Sequence, residues 1–568
     1  MNERKKKKRV SIIIAILFIF LCSYFTFWLL IPGIPRGDDL YFHLSRIVGI
    51  KNGLKLGIFP VKVYPGYFNG YGYANGLFYP DLFLYIPAIL VCLGIKVVTA
   101  YKILIVLCTI FSALFMYICV KGISKSRYAG AISMIVYTLA SYRAIDVYTR
   151  ADLGETLAFV FFPLVILGIY KIIYENYKQW YILSFGIAAI FLSHEISSIV
   201  VSGFTILMFL IGLFHMRKEK KRILYFILAG VVACLLTSYF TFPLVQQIFS
   251  QKFILTTKTI TQFTLSQTVE GFLPAIFSFR FNKFLVPAIS GVGIAILVIP
   301  ILRFKVRKNR EKYFVYSDIC LIMGIISLLA VIGWFPWNTI TDLCKQIGAI
   351  QFAWRLLLPA TAFLSVSSGI IAFTLFKNKK YRSIVLIVVL ILSMFASTEN
   401  IYADYTAKVQ SHKMISENYQ VDYSVGNGEY LPANTNIQKL YSRRDIVTSN
   451  NEALEVSFTK DGTNMTIEFY NNNSENSYIE VPLIYYLGYK ATLDVNGMKI
   501  NLPIEKGANN IIKIPLEGYT NGTISVRYAG TALQYISLLI TIITFLLLII
   551  YIISKRKQIK SINNKLNN

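Results

Sequence analysis

Acidic residues are scarce in this chain: 29 Asp and Glu stand against 57 Lys and Arg, for a formal net charge of +28. Such an excess would suit a nucleic-acid partner if it formed one surface. Here it falls in short clusters between apolar runs of near-spanning length, which makes it a topology signal instead. Cysteine offers no disulfide framework, since all seven (Cys22, Cys92, Cys108, Cys119, Cys234, Cys320 and Cys344) lie in or beside apolar segments and none follows residue 398. No His or Cys pair has zinc-ligand spacing, and His194-Glu195 lacks the spacing of a metalloprotease helix, so zinc chemistry is excluded. A signal-peptide cleavage site is missing too. The apolar run from Val10 to Ile31 is too long for a signal core and ends at Ile31-Pro32-Gly33-Ile34-Pro35, so it reads as a retained first helix. What the chain has in plenty is hydrophobic residues, 55% of 568, with a mean hydropathy of +0.56, more than a soluble fold of this size needs.

A spanning helix takes about 20 apolar residues, and basic residues accumulate in cytoplasmic loops. The basic clusters Arg4 to Arg9, Lys121 to Arg127, Lys171 to Lys178, Arg217 to Arg222, Arg303 to Lys312, Lys377 to Arg382 and Lys555 to Lys565 therefore count crossings. They predict a polytopic α-helical membrane protein of about twelve transmembrane helices, with spans at 10–31, 98–120, 128–143, 156–172, 179–196, 197–215, 223–243, 286–303, 316–335, 354–376, 383–397 and 532–553. Both termini fall in the cytoplasm, at the plasma membrane. Residues 79–95 are apolar but short and proline-interrupted, and counting them as a crossing would reverse every later cluster. They are placed outside, dipping into the outer leaflet. Between residues 398 and 531 the composition turns to Asn, Thr, Tyr, Glu and Gly, with period-two runs such as Leu454–Phe458, Met465–Phe469 and Ile524–Tyr528. With the Asn496-Gly497 turn, these predict an antiparallel extracytoplasmic β-sandwich. The expected organisation is a transmembrane domain over 1–397 with its first outer loop at 32–97, the β domain over 398–531, and a last helix with a basic cytoplasmic tail over 532–568.

This topology gathers ionisable residues on the outer face. After the first helix, Gly37-Asp38-Asp39 looks like a helix start, and Asp39, His43 and Arg46 share one stripe while Leu40, Leu44, Ile47 and Val48 form another. That is an amphipathic helix able to lie on the membrane with its ionisable stripe toward a cavity. A second cluster runs from Tyr142 and Arg143 through Asp146 and Arg150 to Asp152 and Glu155. Asp152 and Glu155 fit a helix N-cap with the reciprocal carboxylate of a capping box, whereas Arg143 and Arg150 break the inside bias of basic residues. Ser193-His194-Glu195 and Phe352-Ala353-Trp354-Arg355 complete the set. Ionisable groups at a bundle rim are costly unless paired or wetted, so several on one face suggest a shared polar cavity.

With Gly57-Ile58-Phe59-Pro60, Gly70-Tyr71-Gly72 and Phe78-Tyr79-Pro80, the first outer loop resembles the opening of the GT-C glycosyltransferases, membrane enzymes that take a sugar from a polyprenyl-phosphate carrier. Tyr142-Arg143, Arg150 to Glu155, Ser193-His194-Glu195 and Phe352 to Arg355 resemble more closely the bacterial and archaeal membrane proteins labelled "6-pyruvoyl-tetrahydropterin synthase-related", themselves similar to YfhO-type proteins. The resemblance spans nearly the whole chain, including Ile479 to Tyr489, and implies no pterin chemistry. It implies that an outer-loop aspartate, Asp38 or Asp39, is the catalytic base of an inverting transfer from a polyprenyl-phosphate-linked sugar to an extracytoplasmic glycan, polymer or lipid acceptor. Arg143, Arg150 and Arg355 are the candidates for the donor phosphate, since guanidinium forks suit phosphate oxygens. His43, Arg46, Asp152, Glu155, His194, Glu195 and Trp354 are candidates for sugar or acceptor. Tyr64, Tyr71, Tyr73, Phe78 and Tyr79 offer flat faces on which sugars stack. No second acidic motif for a metal is evident, so a divalent cation is left unassigned. Cell-wall or surface-polysaccharide assembly in a bacterium is the expected setting, with no nucleic-acid partner. The competing readings are a transporter or flippase of lipid-linked glycans, which would ordinarily show inverted repeats, and a non-enzymatic polysaccharide-assembly partner.

Overall fold

The computed structural model describes residues 3–257, 293–306, 311–332, 335–421, 428–443, 445–472 and 477–567. Among them, nine helices are long and apolar enough to cross a membrane: α1 (Lys8–Leu30), α2 (Val97–Ser124), α3 (Leu153–Tyr174), α4 (Glu195–Met216), α5 (Lys221–Ser250), α6 (Lys312–Leu329), α7 (Ala353–Leu375), α8 (Lys379–Gln410) and α9 (Ala532–Lys557). The chain is a polytopic helical membrane protein with a C-terminal β domain.

Two of the twelve expected spans, 128–143 and 179–196, are shorter than the apolar runs suggest. Residues 128–143 form a helix only over Arg127–Thr138. At 1.5 Å per residue it reaches about 18 Å, against roughly 30 Å of hydrocarbon. It ends because Ala140 is extended (φ −63°, ψ 138°) and the backbone restarts at Ser141 as a short turn followed by a π-helical stretch, Ile145–Arg150. Residues 179–196 yield a helix over Tyr181–Phe191 and 286–303 one over Ile294–Ile301. Residues 286–292 of that expectation, and 333–334 of the span expected at 316–335, lie outside the described residues. Conversely, α8 runs to Gln410, past the expected boundary at 397. Ile401 and Tyr405 continue its apolar face, and Tyr405 donates a 2.9 Å hydrogen bond to the Trp28 carbonyl.

The chain divides into two compact units. The first holds Met1–Tyr41, Lys96–Cys234 and Ile260–Tyr419. Its centre is α3, buried along its whole length, and α7, buried along nearly all of it, which explains why both are apolar on every side. Buried hydroxyls bind main-chain carbonyls of neighbouring helices: Ser133 to Ser365 at 2.7 Å, Tyr316 to Ile166 at 2.7 Å. Strand β1 (Ile34–Pro35) pairs antiparallel with β2 (Met414–Ile415), Ile34 opposite Ile415. Beside it the Lys102 ammonium joins the Glu417 carboxylate at 2.5 Å and the Ile31 carbonyl at 2.9 Å.

The second unit holds Phe42–Ile95, Leu235–Thr259 and Gln420–Asn568. Its strands are β3 (Thr448–Ser449), β4 (Leu454–Asp461), β5 (Asn464–Asn471), β6 (Tyr478–Ile484), β7 (Tyr489–Val495), β8 (Met498–Leu502), β9 (Glu505–Lys506), β10 (Ile511–Pro515) and β11 (Asn521–Tyr528). They form two antiparallel sheets in the orders β3-β6-β10-β9 and β4-β5-β11-β7-β8. The turn from β7 to β8 has positive φ at Asn496 and Gly497, as the Asn-Gly pair dictates.

The outer-loop aromatics belong to this unit, and their expected role as sugar platforms is corrected. Tyr64, Tyr71, Tyr73 and Phe78 are at most 1% exposed. Phe78 stacks on Tyr430 at 5.2 Å and Tyr73 at 5.5 Å, while the Tyr71 carbonyl accepts the Ile484 amide at 3.0 Å. These rings are core. The helix after the first span is also corrected: it runs over Leu40–Lys55, and both of its stripes are buried, including His43 and Arg46 at 1%. It is an internal helix, not one lying on the membrane. Arg46 donates there to the Pro80 carbonyl at 2.5 Å and lies over the Tyr79 ring, its guanidinium 4.1 Å from the centroid.

Candidate functional site

The site of the first unit is built around one arginine. In the π-helical stretch, Arg150 sits four residues after Asp146, and its Nη1 donates to Asp146 Oδ1 at 2.5 Å and to Glu155 Oε2 at 2.7 Å. Nη2 donates to Asp152 Oδ2 at 2.9 Å. All four side chains are at most 5% exposed. Asp152 caps α3 by accepting the Glu155 amide at 2.9 Å. The expected reciprocal arm is absent: the Asp152 amide donates to the Asp146 carbonyl, and the Glu155 carboxylate is taken by Arg150 and by the Tyr142 hydroxyl at 3.0 Å.

The first loop docks on this structure through its backbone. The Asp39 amide donates to the Arg150 carbonyl at 2.9 Å. A Cβ at Gly37 would lie 2.5 Å from the Ala151 Cβ and 2.8 Å from the Arg150 oxygen, so only glycine allows this approach. Asp38 is exposed, whereas Asp39 is half-buried at the N-terminal end of the helix that begins at Leu40.

The two aspartates are electrostatically distinct. Burial and the neighbouring Asp152 charge push Asp39 up to about 7, against the opposing pull of Arg150 and Arg355. Asp38 is raised by burial, with Arg150 and Lys408 opposing. Burial would raise Asp152 as well, but Arg150, His194 and Arg355 together hold it well below the usual carboxylate range. Asp146 lies well above its ordinary value, chiefly from burial and then from Glu155. Asp39 and Asp152 are the carboxylates of this unit on which a divalent cation would draw.

Arg355 contrasts with Arg150. It is 8% exposed, it lies near enough to draw down both Asp39 and Asp152, and its Nε and Nη1 have no hydrogen-bond partner among the described residues. The indole Nε1 of Trp354, 4% exposed, likewise has none. Trp354 stacks on Phe352 with centroids 4.1 Å apart and planes 6° apart, and the Arg150 guanidinium stands 6.0 Å from the Trp354 ring. These three buried donors, without acceptors among the described residues, are of the kind an anion satisfies.

No family model matches the chain. It is 22% identical over 606 residues to an uncharacterized protein of Lactococcus lactis subsp. cremoris (strain MG1363), covering 97% of this chain and 96% of that one. Among solved structures it is similar to ArnT from Cupriavidus metallidurans bound to undecaprenyl phosphate, at 10% identity and a TM-score of 0.36, over 72% of this chain and 77% of that one. It is also similar to the apo oligosaccharyltransferase of Archaeoglobus fulgidus, at 12% identity and a TM-score of 0.35, over 72% and 56%. At such values the site is read from this chain's own geometry.

The other expected residues fall in different places. Arg143 is fully buried, donating to the Thr138 carbonyl at 2.8 Å and to the Thr109 hydroxyl at 2.9 Å, its guanidinium 4.2 Å from the Phe25 ring. His194 caps α4, its Nδ1 2.8 Å from the Ser197 hydroxyl, and Glu195 opens that helix half-buried. His43 and Arg46 belong to the second unit, 3.4 Å apart. Asp146 received no role from the sequence, although its spacing of four from Arg150 was the available signal.

Proposed function

We propose that the chain is a membrane glycosyltransferase that moves a sugar from a polyprenyl-phosphate carrier to an acceptor hydroxyl outside the cytoplasm. The observation that carries this reading is the set of buried, acceptor-free donors on Trp354 and Arg355, set beside a carboxyl poised near neutrality. Asp39 takes the proton of the acceptor hydroxyl as its oxygen attacks the anomeric carbon. The bond from that carbon to the phosphate oxygen breaks, the electron pair leaves with the lipid phosphate, and the centre inverts. Arg355 and Trp354 hold the charge that develops on the departing phosphate. Of the two aspartates the assignment falls on Asp39, since Asp38 is exposed and is not drawn toward Arg355. Arg150, whose Nη1 and Nη2 serve three carboxylates, and Arg143, whose Nη1 and Nη2 bind the Thr138 carbonyl and the Thr109 hydroxyl, hold the scaffold and not the phosphate. Asp152, kept ionised by Arg150 and His194, holds the base Asp39 raised, and the acceptor is a glycan, polymer or lipid.

The test is transfer from radiolabelled polyprenyl-phosphate sugars by protein in sealed proteoliposomes. Asp39→Asn and Arg355→Ala should each lose transfer, Asp38→Asn should keep most of it, and full activity in Asp39→Asn would end the assignment. Sugar that crosses the bilayer without being transferred would favour a flippase instead.

A further inference from the structure

The solvent face of the five-stranded sheet carries one uncharged row, bordered on one side by Asp494 and Glu468 and on the other by Lys490 and Arg527. In register across all five strands run Asn501, Thr492, Ser525, Thr466 and Thr459, each directly opposite the next. Their alternate neighbours Ala491, Leu493, Ile524, Val526, Met465 and Ile467 are buried, so the row points outward. Four strand spacings give a strip of roughly 19 Å. This row consists of short hydroxyls and one amide, which leave a flat surface of paired donors and acceptors. Tyr470 stands 52% exposed on the same face of β5.

One step along the strands, Lys490 and Arg527 are also register partners, both exposed. Like charges directly opposite each other destabilise a sheet. Among the described residues neither forms an ion pair, Glu505 being engaged by Lys513 at 3.0 Å. At the same edge lies a cavity of about 330 Å³, lined by Tyr485, Tyr489, Lys490, Asn501 and Leu502. Its wall is fixed from behind: the Leu487 carbonyl accepts Gln247 at 2.6 Å and the Tyr528 hydroxyl at 3.2 Å, and the Tyr485 amide donates to the Asn510 carbonyl at 2.9 Å. The Tyr489 hydroxyl in that wall belongs to a residue 8% exposed and has no hydrogen-bond partner among the described residues.

We propose that this face binds an anionic glycan: the hydroxyl and amide row takes the sugar rings, and Lys490 with Arg527 takes a carboxylate or phosphate substituent. Uncompensated twin cations call for an anion, and a flat hydroxyl row suits a polyol better than a peptide. The proposal rests on the transferase reading only in supplying that enzyme with an acceptor, and the binding itself can be measured alone. Full-length protein in nanodiscs is titrated with hexagalacturonate, with uncharged maltohexaose and with hexaglutamate. Hexagalacturonate should bind, maltohexaose about tenfold more weakly, and hexaglutamate more weakly still. Lys490→Glu with Arg527→Glu, and separately the uncharged Thr466→Ile in the middle of the row, should each weaken hexagalacturonate about tenfold, while Lys490→Arg should keep it. Absence of hexagalacturonate binding, equal binding of either control, or indifference to Thr466→Ile overturns the proposal. Asp39→Asn should bind the probe unchanged, so the loss of one reading leaves the other standing.

Discussion

Replacing Arg150 and Arg355 one at a time should give opposite results. Arg150 satisfies three buried carboxylates through contacts of 2.5 to 2.9 Å. Removing one partner from a buried charge network typically costs about 3–5 kcal/mol, because the remaining charges stay in the interior uncompensated. Arg150→Ala is therefore expected to lose about that much stability, measured by steric trapping in bicelles at neutral pH. Arg355 has two nitrogens with nothing to bind, so Arg355→Ala relieves an unsatisfied buried group and should change stability by less than about 1 kcal/mol, while transfer is lost. The cost at Arg150 should respond to charge removal. Arg150→Met combined with Asp146→Asn and Glu155→Gln should recover most of the loss, since neutral replacement of a buried network is often close to neutral and the one carboxylate left, Asp152, is also drawn down by His194 and Arg355. An Arg150→Ala protein as stable as the parent, or one that the triple replacement does not restore, would refute the argument that Arg150 is engaged in structure and Arg355 is held free for a ligand.

Because Asp39 is pushed up to about 7, transfer should rise with pH through that value as the base is freed, and Asp152→Asn should move the limb to lower pH by removing a raising charge. The sign for stability is opposite: between the unfolded value near 4 and about 7, the native chain retains a proton that the unfolded chain has lost, so this carboxyl's contribution falls as pH rises through that window. Gly37→Ala should displace the first loop and cut transfer at least about tenfold with the fold retained by circular dichroism, and adding Ala151→Gly should recover part of it. In a cysteine-free background, Asp38→Cys and Asn450→Cys should react with a membrane-impermeant maleimide on intact cells, and Lys380→Cys only after lysis. Labelling of Asp38→Cys only after lysis would put the first loop on the wrong side.

Much of the β domain was legible because alternation survives wherever one sheet face is buried: the expected runs at 454–458, 465–469 and 524–528 lie inside β4, β5 and β11. The Asp152 cap was legible from its spacing, but the fate of Glu155 was not, since a capping carboxylate and an ion-pair carboxylate look alike until Arg150 is placed. Helix length failed at 128–143 for a similar reason. Apolar composition continues to Leu139 and Ala140, and nothing local announces that the backbone leaves the helix there to re-aim Tyr142 and Arg143. The aromatic loop misled because rings that can stack on sugar are equally suited to stacking on one another, and here Tyr430 provided the partner.

The pairing of Ile34 with Ile415 bears on how the protein is made. The ribosome delivers the aspartate loop early, yet the strand that fixes it emerges only after the membrane helices between them have been threaded. Until then the loop rests only on the Arg150 carbonyl through the Asp39 amide, so a nascent or prematurely terminated chain would hold its aspartate in a half-built frame among the lipid carriers around it.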